Sequence, residues 1–215
     1  MNKKYELVIF DLDGTLIDSL PYHFLAFKDL MLEYGIRIDD KHLKKLIGMS
    51  TNDILKDLKK KYKFKERIQD LREERRFHYF KFLGNRNIIF PQVRAALKKL
   101  HSSCQLAIAT GSSKIILTHS TDKSFQELFD CIVSINDVRK GKPDPDELFL
   151  AARKLHAVPK KCLVVGDSIY DAIAAKSGGM DFIGVTTGYN KRQKLFKYGA
   201  IKVIDSIAEL EKILK

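Results

Sequence analysis

Short apolar runs alternate along this chain with longer stretches in which apolar residues recur every three or four positions. That rhythm predicts strands separated by helices. The runs are Tyr5 to Phe10, Gln105 to Ala109, Cys131 to Ser134, Cys162 to Val165 and Phe182 to Val185. Val93, Ala96, Leu97 and Leu100 define one apolar helical face, and Leu148, Ala151, Ala152 and Leu155 another. Strand and helix in alternation imply a doubly wound α/β core, a parallel sheet covered by helices on both faces.

The first interval breaks the rhythm. Roughly 100 positions separate the end of the first run from the end of the second, where a strand-helix-strand unit needs about 30. Leu20, Phe24, Phe27, Met31 and Tyr34 recur at helical spacing, as do Ile54, Leu55, Leu58 and Tyr62. The charged stretch from Lys65 to Lys81 continues in the same period. The pattern predicts a small helical domain over residues 18–85, inserted into a core made of 1–17 and 86–215. Gly84 to Phe90 reads as the return linker, with Pro91 in the first turn of the next helix.

Composition is that of an ordinary globular chain, with 45% hydrophobic and 31% charged residues. The apolar run near the N-terminus is too short for a secretory signal and is interrupted by Asp11 and Asp13. No stretch of about 18 apolar residues predicts a membrane span. Cys104, Cys131 and Cys162 are odd in number and widely spaced, which fits reduced thiols in a cytoplasm. The net charge of +12 is concentrated in residues 41–86, with 15 Lys and Arg against 6 Asp and Glu. Such an excess is a solvated helical surface, an attractor of phosphorylated substrates, or a nucleic-acid contact.

In open parallel sheets ligands bind beyond the carboxyl ends of the strands, so the residues following each run are the ones to read. Asp11, Leu12, Asp13, Gly14 and Thr15 follow the first; Thr110, Gly111 and Ser112 the second; Gly166, Asp167, Ser168 and then Asp171 the fourth. Gly141, Lys142 and Pro143 lie in a loop after the third. Each group has a plainer reading alone. Asp13 with Gly14 suits a tight turn, Ser168 with Asp171 suits a helix capping box, and Thr110 to Ser112 suits a helix start. Together they place several acids at one sheet edge. Two carboxylates about 4 Å apart repel by about 4 kcal/mol at an effective dielectric near 20, so such a cluster calls for a cation. With oxygen donors and neither His nor Cys beside them, a hard ion such as magnesium is favoured over zinc.

These motifs, in this order, resemble the haloacid dehalogenase-like hydrolase superfamily, in the phosphatase branch with a helical cap inserted after the first strand. The resemblance implies a Rossmann-like core and a magnesium-dependent phosphatase acting on a small phosphorylated metabolite through an aspartyl-phosphate. It implies Asp11 as nucleophile, Asp13 as general acid and base, and Lys142 as the cation that neutralises nucleophile and phosphoryl group. Thr110, Gly111 and Ser112 would hold phosphate oxygens. Magnesium would be bound by Asp11, Asp13 through its backbone carbonyl, and Asp167, with Asp171 as a further candidate. Asp144, Pro145 and Glu147 read as an ordinary helix start.

Within the insertion, Ser19, His23 and the loop Gly48, Met49, Ser50 and Thr51 resemble the hinge and specificity loop of the β-phosphoglucomutase group. A mutase that passes the phosphoryl group to a second sugar hydroxyl is therefore the alternative. Thr51 stands where that group's loop has an arginine for a sugar phosphate, and His23 also suits a packed position beside an apolar stripe. A nucleic-acid-binding module with a vestigial catalytic core is a remoter alternative, opposed by intact Asp11, Asp13, Lys142 and Asp167. The expected protein is a cytoplasmic monomer.

Overall fold

The computed structural model describes residues 5–214. Six strands form one parallel sheet: β1 (Leu7–Phe10), β2 (Gln105–Thr110), β3 (Cys131–Ser134), β4 (Cys162–Gly166), β5 (Asp181–Val185) and β6 (Lys202–Ile204), in the order β3-β2-β1-β4-β5-β6. β1 pairs with β2 on one side and β4 on the other, Ile9 lying opposite both Ala107 and Val164. The strand order therefore reverses at β1. A crevice opens at such a switch point beyond the carboxyl ends, which is where Asp11 begins.

Side-chain alternation along the strands divides the core into two layers. Val8 and Phe10 of β1, with Leu106 and Ile108 of β2, pack against helix α5 (Val93–Leu100). Leu7, Ile9, Ala107 and Ala109 face the other way, against α8 (Asp146–Lys154) and α9 (Ile169–Ser177). Helices α6 (Lys114–Ser120) and α7 (Lys123–Gln126) connect β2 to β3, and α10 (Arg192–Lys197) connects β5 to β6. The last helix, α11 (Leu210–Leu214), follows β6.

Four helices stand between β1 and α5: α1 (Leu20–Glu33), α2 (Asp40–Leu46), α3 (Thr51–Tyr62) and α4 (Ile68–Leu83). They share a third apolar cluster that includes Phe27, Leu30, Leu43, Leu55, Leu58 and Leu71. Ser50 caps α3 by accepting from the Asp53 amide, and Lys63 ends that helix in a left-handed conformation.

The sequence pattern differs from this structure at several places, among them residues 63–67, which lie outside any helix because α3 ends at Tyr62 and α4 begins only at Ile68. The first strand starts at Leu7, with Tyr5 before it sending its hydroxyl to Asp181 Oδ2 at 2.6 Å. Pro91 lies in a turn two residues ahead of α5 and outside its first turn, because Gln92 takes a left-handed φ of 69° at the N-cap. β6 is three residues long, too short to show a period of two. Helix α2 escapes detection because only Leu43 and Leu46 of its seven residues are buried.

Candidate active site

The strand tips bring the motif residues together. Lys142, 2% exposed, points its Nζ at Asp11 Oδ1 (2.6 Å), Asp171 Oδ1 (2.7 Å) and the Ala109 carbonyl oxygen (2.7 Å). Asp167 accepts from the Thr15 hydroxyl at 3.2 Å. Carboxylate oxygens of Asp11, Asp167 and Asp171 lie within 4.8 Å of one another, a spacing able to hold one metal ion. Asp171 forms the capping box that its position suggests and also faces the lysine. Its Oδ2 accepts from the Ser168 amide (3.1 Å) and hydroxyl (2.6 Å), completing a capping box at α9, while Oδ1 faces Lys142.

Electrostatics follow from this crowding. Burial pushes the Asp11 carboxyl well above its ordinary pKa, opposed by Lys142 and reinforced by Asp171, Asp167 and Asp13. Burial and Asp171 push Asp167 up in the same way. Burial works against a charge on Lys142, yet Asp11, Asp171 and Glu147 hold it protonated. One lysine faces this group of acids, so the donor set fits a divalent cation, and its oxygen-only composition suits magnesium.

Asp13 occupies different surroundings. Its carboxylate stands outside the three-acid group and accepts from Ser19 Oγ (2.6 Å), His23 Nε2 (2.8 Å) and Thr110 Oγ1 (3.3 Å). Gly14, at φ +79°, turns the chain directly after it. A Cβ there would come within 2.7 Å of Leu20 and 3.1 Å of Asp167, so the turn and the close approach both require glycine. Burial opposes ionisation of Asp13, but His23, Ser112 and Ser19 hold its pKa well below the ordinary carboxyl range. Thr110 Oγ1 also accepts from the Ser112 amide at 3.0 Å, ordering the loop that carries Gly111 and Ser112.

The inserted helices close over these tips. Gly48 at φ +108° lets its loop approach Ser168, where a Cβ would meet the serine Cβ at 2.9 Å. The Tyr170 hydroxyl donates to the Lys45 carbonyl at 2.7 Å, and the backbone of Ser50 lies against Gly111. A cavity of about 40 Å³ remains, bounded by Asp11, Asp13 and Ser112 below and by His23, Met49 and Thr51 above.

Two residues at the site were missed by sequence reasoning. Arg75, 1% exposed, donates from Nη2 to His23 Nδ1 and stacks over the rings of Phe27 (4.7 Å) and Tyr79 (5.3 Å). That contact makes Nδ1 the acceptor, leaving Nε2–H to donate to Asp13. Burial, offset by Asp13 and reinforced by Arg75, lowers the His23 pKa, consistent with a neutral ring. The signal was present in the sequence: Leu71, Arg75, His78 and Tyr79 form a buried stripe, with a cation at a core position of α4. The second residue is Glu147, which is fully buried with neither carboxylate oxygen hydrogen-bonded. It stands in the first turn of α8, as the sequence suggests, but is buried, because the face that packs Leu148, Ala151 and Ala152 on the sheet also turns Glu147 inward.

The haloacid dehalogenase-like hydrolase family model matches residues 8–185. The chain is 30% identical over 205 residues to a phosphorylated carbohydrates phosphatase of Thermotoga maritima, covering 93% of this chain and 94% of that protein. A phosphoglycolate phosphatase of Colwellia psychrerythraea is 27% identical over 214 residues, covering 95% of each. Among solved structures, a hydrolase from Pseudomonas syringae superposes with a TM-score of 0.86 at 30% identity, covering 96% of both chains. The chain belongs to the haloacid dehalogenase-like hydrolases, within their phosphoglycolate phosphatase and β-phosphoglucomutase-like group. It is a phosphoric monoester hydrolase.

Proposed function

We propose that this protein is a magnesium-dependent phosphatase of small phosphorylated metabolites, working through a phosphorylated Asp11, with residues 18–85 as a cap over the site. The observation that carries the reading is the contrast between Asp11 and Asp13. Two carboxylates two residues apart are held by different partners, one beside Lys142 and the other beside Ser19 and His23. Divergent environments are what separate a nucleophile from an acid-base group.

Asp11, its charge held by Lys142 against the burial that raises its pKa, attacks phosphorus in line, and the bond to the leaving oxygen breaks as Asp13 gives it a proton. The charge of an arriving phosphate raises the pKa of Asp13 and so favours the protonated form this step requires. Asp13, now ionised, then takes a proton from water, which attacks the aspartyl-phosphate and releases inorganic phosphate. Lys142 keeps Asp11 and the transferring oxygens from repelling one another, while Thr110, Gly111 and Ser112 hold those oxygens. Asp11, Asp167 and the backbone carbonyl of Asp13 would hold magnesium, supported by Asp171; the ion supplies charge neutralisation for an anionic nucleophile meeting an anionic ester.

The relatives named for phosphorylated carbohydrates and phosphoglycolate support sugar phosphates or small phosphorylated acids as substrates. The absence, among the described residues, of any helix able to cross a membrane is consistent with such a role, as are three free cysteines with a reducing cytoplasm. A panel of metabolite phosphates, assayed for released phosphate with and without magnesium, tests the proposal. No release from any ester would refute it. Incubation with β-glucose 1-phosphate separates phosphatase from mutase, since conversion to glucose 6-phosphate with little free phosphate would reverse the ranking.

A further inference from the structure

The loop between β5 and α10, residues 186–191, has no role in the proposed chemistry, yet it touches three parts of the molecule that do. Thr187 Oγ1 donates to the Gly14 carbonyl oxygen at 2.5 Å, so it holds the turn that follows Asp13 from 173 residues away. Gly188 lies against the Asp167 carboxylate. A Cβ there would fall 1.7 Å from Asp167 Oδ2, so only glycine lets the loop come this close. The next residue, Tyr189, reaches the inserted helices.

Its ring stands edge-on to Phe24 of α1, with centroids 6.5 Å apart and planes at 75°. Lys44 of α2 places its Nζ 5.6 Å from the centroid of each of these rings. Edge-to-face and cation–π attraction therefore favour one seating of α1 and α2 over the core. The loop is also clamped at its ends. Thr186 Oγ1 and Arg192 Nη2 both donate to Asp205 Oδ1 at 2.6 Å, and the Thr186 amide donates to the Ile204 carbonyl at 3.0 Å. A short segment fixed at both ends passes a displacement of Tyr189 on to Thr187 and Gly188 instead of absorbing it.

We infer that Tyr189 is a positioning residue: through Thr187 and Gly188 it ties the seating of α1 and α2 to the placement of the Asp13–Gly14 turn and of the Asp167 carboxylate. This rests on reading residues 18–85 as a cap over a phosphatase site. With the helices seated, the turn is held from two directions, by Ser19 and His23 on Asp13 and by Thr187 on Gly14. With them lifted, the loop loses the support of Phe24 and Lys44, and the turn shifts with it. Tyr189 acts only through these neighbours. Being 37% exposed, it can be replaced without opening a cavity in the core.

Hydrogen exchange of the unliganded protein, followed by mass spectrometry over residues 12–18 and 20–46, reads the turn and the helices separately. Tyr189→Ala should speed exchange in both segments at least about threefold, and Phe24→Ala should do the same. The double variant should exceed neither single variant, because both substitutions break one contact. In turnover of p-nitrophenyl phosphate, kcat should fall about tenfold in Tyr189→Ala while KM stays within about twofold, since Thr110 and Ser112 are untouched. Tyr189→Phe keeps the ring and should match the wild type in both measurements. Unchanged exchange in the turn, whether or not the helices loosen, overturns the coupling, as do additive effects in the double variant. An unchanged kcat, or a phenylalanine variant that behaves like the alanine one, overturns the positioning role. If the wild type releases no phosphate from any ester, the phosphatase reading fails while exchange still decides the coupling.

Discussion

At the strand tips nearly every charge has a partner. Asp11, Asp171 and Lys142 meet one another, Asp167 meets Thr15, and Asp13 meets Ser19, His23 and Thr110. On the α4 side the balance reverses: among the described residues exposed Arg72 has no ion-pair partner, and buried Arg75 donates to His23 and makes no ion pair with an acid. The first region is organised before any substrate arrives, which is what chemistry on a common phosphoryl group demands. The second carries its cations on the inserted helices, where one is left to solvent and the other is held by a histidine ring.

The largest break in that comparison comes from the organised side. Asp11→Asn should reduce turnover by a factor of about 10⁴ or more, because a carboxamide is a poor phosphoryl acceptor. Its melting temperature should not fall, since the neutral side chain relieves repulsion with Asp167 and Asp171. Chelation of magnesium should silence the wild type comparably, with recovery on adding the ion back. Residual turnover near the wild-type level in either experiment would remove the assigned role.

A smaller effect is expected at Glu147, whose burial, against the pull of Lys142, raises its pKa from 4.5 to about 7. The folded protein holds this proton more tightly than the unfolded chain does. The associated stability is complete below pH 4.5 and is lost as pH rises to about 7. Denaturant unfolding of wild type and Glu147→Gln should therefore diverge across this window, the wild type losing about 3 kcal/mol relative to the variant. Parallel pH profiles would show that Glu147 is paired or solvated in solution.

The smallest effect tests the hinge between the regions. His23→Gln should lower turnover about tenfold by weakening the hold on Asp13, whose pKa then rises toward the ordinary range. Because the proposed hydrolysis of an aspartyl-phosphate needs Asp13 ionised, the acidic limb of its pH profile should move to higher pH. A limb that stays in place would show that His23 only packs against Tyr79, whose ring it stacks on at 4.4 Å.

The organised side was also the more legible in sequence. Asp11, Asp13, Thr110 and Asp167 each follow a run of apolar residues, and a strand's end is readable because the apolar run stops there, although the polar residues beyond it are buried too. Lys142 was legible only as part of a motif, since nothing local says that a lysine between Gly141 and Pro143 is buried. The burial of Glu147 was illegible for the same reason: its sequence neighbours fit the helix start that it does occupy, while its burial comes from the sheet beneath α8. Arg75 fell within a run of charges that conceals the apolar stripe it belongs to. Short elements such as β6 and α2 owe their form to neighbours distant in sequence, beyond the reach of local periodicity.

The place of β1 has a consequence for how this enzyme fails. Flanked on both sides and fully buried over Leu7–Phe10, it belongs to the part of the molecule whose amides exchange with solvent only through global unfolding. Asp11, the proposed nucleophile, is thus anchored to the last element expected to let go. Heating should leave catalytic competence intact until cooperative collapse, and deuterium uptake should rank the inserted helices well ahead of the strand that bears Asp11.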